Sequence, residues 1–563
     1  MQFDLPAEIW TQIFDLAADE DILFQPGIPT GMAESAWAKD RIINDWRLRS
    51  PQEAMNMLQR RSYATKKAII LTCRRWRELG SEFLFRCLYF SDPAKLLSLC
   101  SILDSSAAST STVTASYGWW TRRIHVSELH PSPTRNVTME DLENALASIV
   151  RHCPNVEIVI VEKPMGPAFG PVADALATYA FRKLHTVQFN LPGDLLSKVI
   201  WALDALPLIT SACIVIDSPV QDEQECAHLG SATDMRLELP FLQQLSLKGH
   251  VGEFVEQAAG WDLPSLRSLS LDGRNNFHDP PDIVEFLKQH GLPLLLLDID
   301  YVPPLDVATI LELCPNLLTF SFNADWRLPL QGEAASKLTK HPHQNIATIG
   351  LYGLSTAFGV GAFAATGTGS GLGSAHTLLA RVSQRSNEWN VAALTRDNFP
   401  KLRRVRALSR PMLRDLNRFD GPSRENGGYD RWNKWWNQFA DSGIRMEDCT
   451  GQFLGTLPQD DEDESSEEED DDEDSEDEYE DSDDGGEDDE DGGGDGGDDF
   501  EDEDSDEADG EGSRGPPLPE GNGRTMELTR LLQEVRAMNE SRDEELIARV
   551  RIPGPPSPSQ DAP

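Results

Sequence analysis

Few residues in this chain stand at spacings that support chemistry. Gly367, Gly369, Gly371 and Gly373, interleaved with Thr, Ser and Leu, look like a phosphate cradle in composition. They match neither G-x-G-x-x-G nor the Gly-Lys-Ser/Thr end of a phosphate-binding loop, so the run reads as a loop. Gly353-Leu354-Ser355-Thr356-Ala357 lacks the second glycine of a nucleophile elbow, and no Asp and His follow it in order. His341 and His343 flank Pro342 and offer two imidazoles. No third ligand lies at a zinc spacing, and both read as surface histidines. Paired carboxylates abound only in residues 460–509, where solvation removes the dry setting that general acid–base work requires. No catalytic centre, cofactor or metal is expected.

Among the segments that carry these residues, charge divides the chain first. Residues 460–509 hold 35 Asp and Glu and no Lys or Arg, so the formal charge of -45 over 563 residues falls to -10 without them. Like charges and sparse apolar residues predict disorder across residues 458–524. Ser465, Ser466 and Ser475 have acids downstream, the setting that acidophilic kinases prefer. The run is either a solubilising spacer or a binder of basic partners such as histones, an attraction that salt weakens. In residues 525–563, Leu528, Leu531, Leu532, Val535, Met538, Leu546 and Ile547 predict a short amphipathic helix before a Pro-rich end.

The eight cysteines are scattered singly, without Cys-x-x-Cys pairs, which suits free thiols in a reducing compartment. The first sixteen residues lack the basic start and apolar run of a secretory signal, so a cytoplasmic or nuclear site is expected. Residues 346–366 are uncharged and long enough to span a bilayer, but four glycines and several Ser and Thr dilute them. A core strand and loop are expected there, with no membrane partner.

At the amino terminus, Leu5-Pro6-Ala7-Glu8-Ile9 opens a predicted helix running to Ala17, with proline and glutamate in the first turn. Ile9, Ile13, Leu16 and Ala17 form one apolar stripe, and Trp10 and Phe14 widen it beyond what a short helix buries alone. Helical spacing returns over residues 64–79, through Leu71, Cys73 and Trp76. The intervening residues 20–62, with turn signals at Pro26-Gly27-Ile28-Pro29, read as an insertion.

A phrase then recurs: Cys153-Pro154-Asn155-Val156, Leu239-Pro240-Phe241-Leu242, Leu263-Pro264-Ser265-Leu266 and Cys314-Pro315-Asn316-Leu317, each followed by alternating apolar residues. From Pro240 to Pro315 it returns every 22 to 29 residues, the period of a leucine-rich repeat. Alternation places one side of each short strand inward, while residues 282–290 have helical spacing. The expected fold class is α/β: an N-terminal helical module (1–92, insertion 20–62), then an irregular leucine-rich-repeat-like solenoid over residues 115–457, then the acidic tail. Its strand row would face a concave, partner-binding surface. A parallel α/β enzyme is the competing reading, but no phosphate loop accompanies any strand.

The opening Leu-Pro-x-Glu-Ile helix and the later Cys73-Arg74-Arg75-Trp76 element together resemble the F-box of fungal proteins, over about a fifth of the chain. Two further phrases are similar to those flanking the repeats in such relatives: Trp120-Thr121-Arg122-Arg123 before them, and Gly443-Ile444-Arg445-Met446-Glu447-Asp448-Cys449-Thr450 after them. Both are expected to be end caps, with Trp432, Trp435 and Trp436 supplying area. The resemblance implies that Leu5, Pro6, Ile9, Ile13, Phe14, Leu71, Cys73 and Trp76 contact an SKP adaptor or form the module that does. It implies a non-catalytic substrate-recognition subunit of an SCF-type, cullin–RING ubiquitin ligase holding an unknown protein substrate, with no direct nucleic-acid partner. The alternative is an acidic-tailed protein that binds basic partners without ligase function.

Overall fold

Helix α1 (Ala7–Ala18) opens the described chain and leads to a short antiparallel hairpin, β1 (Ala36–Asp40) and β2 (Asp45–Arg49). Ser50 then starts a long helix, α2 (Pro51–Thr72). Its hydroxyl accepts from Glu53 N–H, the Glu53 carboxylate accepts from Ser50 N–H at 2.6 Å, and Pro51 occupies the first helical position. Residues 51–62, expected inside an insertion, are therefore helical. The single helix expected through Cys73 is two, because Cys73 is extended (φ -159°) and its thiol accepts from Trp76 N–H at 3.4 Å. Helix α3 (Arg74–Arg86) begins there, so the Cys-x-x-Trp element is a helix cap.

Next comes a parallel sheet of 12 strands, ordered in space as in the chain. Its first half is β3 (Cys87–Phe90), β4 (Arg123–Val126), β5 (Ile158–Pro164), β6 (Thr186–Pro192), β7 (Ser211–Asp217) and β8 (Gln244–Gly249). Its second half is β9 (Ser268–Asp272), β10 (Leu296–Ile299), β11 (Thr319–Asn323), β12 (Thr348–Tyr352), β13 (Arg404–Ala407) and β14 (Arg445–Glu447). Alternation sorts each strand. Leu245, Leu269, Leu297 and Phe320 lie side by side and are buried. The connecting helices Gly252–Ala258, Val284–His290 and Val307–Leu313 bury Phe254, Phe286 and Ile310 in the same core. At two turns each, they depend on that packing for stability. The opposite face carries a row aligned in register that is polar except at Leu296: Thr186, Ser211, Gln244, Ser268, Leu296, Thr319, Thr348 and Arg404.

The structure, a computed structural model, describes residues 5–18, 20–40, 45–109, 117–127, 138–166, 169–217, 229–273, 283–301, 306–325, 338–361 and 374–458. One compact unit contains all of them. The glycine run 367–373, the acidic tail and the helix expected in residues 525–563 lie outside the described residues.

The sheet ends at the phrase expected as its last cap but starts one strand before the phrase expected as its first. Its first strand belongs to the predicted amino-terminal module, Arg122-Arg123 leads into the second strand, and Arg445-Met446-Glu447 is the last. Against that final edge, Trp435 is buried edge-on to Phe358 at 5.6 Å between ring centroids, and Trp432 stacks on Trp436 at 5.6 Å. Within the uncharged stretch 346–366, β12 is the expected core strand. No helix among the described residues is long and apolar enough to cross a membrane.

Candidate functional site

Helix α1 has two unlike sides. Phe14 (1% exposed) and Ala18 face inward with Ile69 and Phe83, and Trp10, Trp76 and Leu79 pack at their margin. The Trp76 ring lies 4.7 Å from Trp10 and 5.2 Å from Phe14, an aromatic cluster that adds to burial worth about 1.5–3 kcal/mol for Phe14 alone. Arg75 donates to the Leu5 carbonyl at 2.9 Å, which brings the start of α1 to the turn carrying Leu71 and Cys73.

The other side of α1 faces solvent. Ile9 and Ile13 are each 40% exposed, and Leu16 is 80% exposed, at i, i+4 and i+7. Leu71 is 62% exposed at the end of α2. Of the eight residues singled out from the sequence, Pro6, Ile9, Ile13, Leu71 and Cys73 are exposed, Leu5 and Trp76 half-buried and Phe14 buried. The stripe and its flanking aromatics thus separate, the isoleucines outward and Phe14 into the module. An unpartnered apolar stripe on a locked helix is suited to burial against another protein.

Helix α2 fastens this module to the sheet. Gln59 Nε2 donates to His125 Nδ1 at 2.7 Å, and Gln52 Nε2 donates to Glu162 at 2.6 Å. Buried Lys66 pairs with buried Glu20, at the start of the segment that follows α1.

That segment is a strap. Pro26-Gly27-Ile28-Pro29, read as turn signals, instead crosses the polar face of the sheet. Arg123 on β4 donates to the Leu23 carbonyl at 2.7 Å, while Arg122 lies 4.3 Å from the Phe24 ring and grips Glu157 with two bonds of 2.9 and 2.8 Å. Gly27 N–H points at Thr186 Oγ1 on β6 (3.5 Å). Gln244 on β8 bonds both backbone groups of Ile28, and Asp298 on β10 accepts from Gly31 N–H at 3.2 Å. Arg406 on β13 donates to the Met32 carbonyl at 2.9 Å and to Glu34 at 2.8 Å, and Ser35 N–H donates to the Cys449 carbonyl at 2.8 Å.

Twelve residue steps reach at most about 43 Å. Ten strand spacings measure about 48 Å, and the Arg123 side chain that reaches Leu23 makes up the difference, so the strap spans nearly the whole strand row. The face expected to lie open is therefore partly covered by the chain itself, and the insertion is a fixture of the sheet.

Charge along the strap is set by burial and by ion partners together. Burial opposes the Arg406 charge, but Glu34 and Glu447 outweigh it and raise its pKa. Burial pushes Asp298 up to about 6, against bonds from Tyr352 OH at 3.0 Å and Gly31 N–H that favour the carboxylate. Arg123 is lowered by burial, and its Nε has no partner. Gly31 is required where it stands, since a Cβ there would collide with the Tyr352 hydroxyl.

Between the strap, the start of α2 and the first residues of the strands lies a cavity of about 540 Å³. Its lining includes Arg123, Arg267, Arg404 and Arg406, with Glu34 as the sole carboxylate, and the apolar Ile28, Met32, Ile160 and Leu296. The sequence does not announce the strap or its cavity, since the partners that hold this segment on the sheet, from Arg123 for Leu23 to Cys449 for Ser35, stand 100 or more residues away.

The motifs that looked chemical have structural roles. His343, expected at the surface, is buried and bonds the Cys314 carbonyl at 3.0 Å, whereas His341 is exposed. Ser355 donates to Asp325 at 2.8 Å, and the same carboxylate accepts from Leu354 N–H, fixing a turn with Leu354 at φ 60°. Among the described residues no cluster of three His, Cys, Asp or Glu is arranged to hold a metal, and no cysteine is paired. No protein-family model matches the chain, and no curated protein matches it.

Proposed function

We propose that this chain is a non-catalytic receptor of the F-box type, in which the α1–α3 module docks on an SKP adaptor and the strapped sheet presents a protein target to a cullin–RING ubiquitin ligase. One observation carries the reading. The outward stripe Ile9, Ile13 and Leu16 stands on a helix whose inner side is locked by Trp76 of the Cys-x-x-Trp turn. Full burial of such a side chain is worth about 1.5–3 kcal/mol, and the part of it still exposed here is what docking on an adaptor would add.

The body supports the same reading as a leucine-rich-repeat-like solenoid, with short strands stacked in chain order over short helices. Among the described strands the order never reverses, so the crevice at a topological switch point, where open α/β sheets bind their ligands, does not form. A receptor of this kind contributes proximity, and the ligase supplies the chemistry. Co-purification of the tagged full chain with the adaptor tests it. Adaptor recovery should be lost with Ile9→Asp plus Ile13→Asp, and equal recovery from both chains, or none from either, overturns it.

A further inference from the structure

We propose that the cavity beside the strap is a binding trough for an extended acidic peptide, held by Arg123 and Arg267. In a chain of formal charge -45, a lining of four arginines and one glutamate is a local reversal of sign. Two of the four are already engaged in the folded chain. Arg406 is neutralised by Glu34 and Glu447, and Arg404 has a partner of its own.

The other two are not neutralised. Arg267 is exposed, and among the described residues its side chain donates only to backbone carbonyls, those of Pro264 at 3.4 Å and Leu266 at 3.1 Å. Arg123 is 4% exposed, has no carboxylate at ion-pair distance among the described residues, and keeps its Nε unpartnered. A buried guanidinium bonded to one carbonyl is costly to maintain, and a ligand carboxylate would satisfy it in a two-toothed geometry.

Shape selects the ligand. The trough extends from β4 to β13, which is about 40 Å along the sheet, too long for a small anion and close to a dozen extended residues. The strap itself is a peptide held on this face by side chains of the strands. Arg123 on β4 and Arg267 before β9 are separated by about five strand spacings, or roughly 24 Å. Two ligand acids about seven residues apart would reach both, an apolar residue between them would lie over Ile160 on β5, and one just past the second acid over Leu296 on β10.

That such a peptide belongs to a ligase target rests on the receptor reading; that the trough takes it does not. The test is fluorescence anisotropy of the purified full chain with a labelled dodecapeptide carrying two glutamates seven residues apart among alanines and valines. Binding should weaken about tenfold with Arg267→Glu, be largely kept by Arg267→Lys, and weaken similarly when both glutamates become glutamines or are moved next to each other. Ile9→Asp plus Ile13→Asp should leave it unchanged, which separates this site from adaptor docking. Equal affinity for the neutral peptide, an unaffected Arg267→Glu chain, or displacement by a single-stranded oligonucleotide at lower concentration than by the unlabelled peptide would each overturn the proposal.

Discussion

Gln244 pairs with Ile28 as one strand pairs with another: its amide nitrogen donates to the Ile28 carbonyl at 2.7 Å, and its amide oxygen accepts the Ile28 N–H at 3.0 Å. Both groups of the strap at this point are buried, and Ser211 donates to the same amide oxygen at 2.8 Å. Gln244→Leu fills similar space and strands three polar groups. The variant should lose about 2–4 kcal/mol in denaturant unfolding, with hydrogen exchange at Ile28 rising first.

Arg406 and Glu447 form a buried pair at 2.7 Å, with Glu447 2% exposed. Arg406→Met leaves that carboxylate buried beside Arg445 alone, 3.1 Å away, and should cost about 3–5 kcal/mol. Adding Glu447→Gln should recover part of the loss, read as a double-mutant cycle of unfolding free energies.

Asp298 gives the strap a pH dependence. Its folded pKa, about 6, stands above the ordinary 3.8, so the folded chain binds this proton more tightly than the unfolded one. Its stabilising contribution is complete below about pH 3.8 and is lost as pH rises through about 6. Asp298→Asn keeps an oxygen for Gly31 and Tyr352 without the charge. It should raise stability at neutral pH by on the order of 1–3 kcal/mol and reduce the slope between about pH 4 and 6 in thermal melts. Asp448, also raised to about 6 by burial, should preserve part of that slope.

The two sides of α1 should respond oppositely. Ile9→Asp with Ile13→Asp should shift unfolding by less than about 1 kcal/mol, whereas Phe14→Ala should cost about 3–5 kcal/mol. Urea titrations of both chains decide whether loss of adaptor recovery reflects docking or folding.

Gly31→Ala should push the strap off the Tyr352 hydroxyl. We expect a cost of about 1–3 kcal/mol and faster protease cleavage within residues 20–40 than in the parent chain.

Much of the sheet was legible because alternation and a recurring Pro-x-Leu phrase mark strands locally, as at Leu245 and Leu269. Strand β7 lacks that mark because Ser211 to Asp217 is nearly all apolar, and the start of α2 is marked only by its Ser50-Pro51-Gln52-Glu53 cap within the apparent insertion. That cap was a visible signal. The strap was not, since its residues show no periodicity and its holding side chains, Gln244, Asp298 and Arg406, look like an ordinary solvent-facing row until a second chain segment is laid over them. For α1 the stripe was legible but its sides were not, because two candidate faces of one helix differ only in what the rest of the chain brings to them.

Stacked arrays whose units touch only their neighbours can fray from either end, one unit at a time. A strap tied at Arg123 and again at Arg406 and Cys449 changes that. Loss of the last strand releases the tie that the second strand relies on, so damage at either terminus is felt at the other. Unfolding of the array should therefore be sharper and closer to all-or-none than its linear connectivity implies, and severing the strap should turn one transition into several.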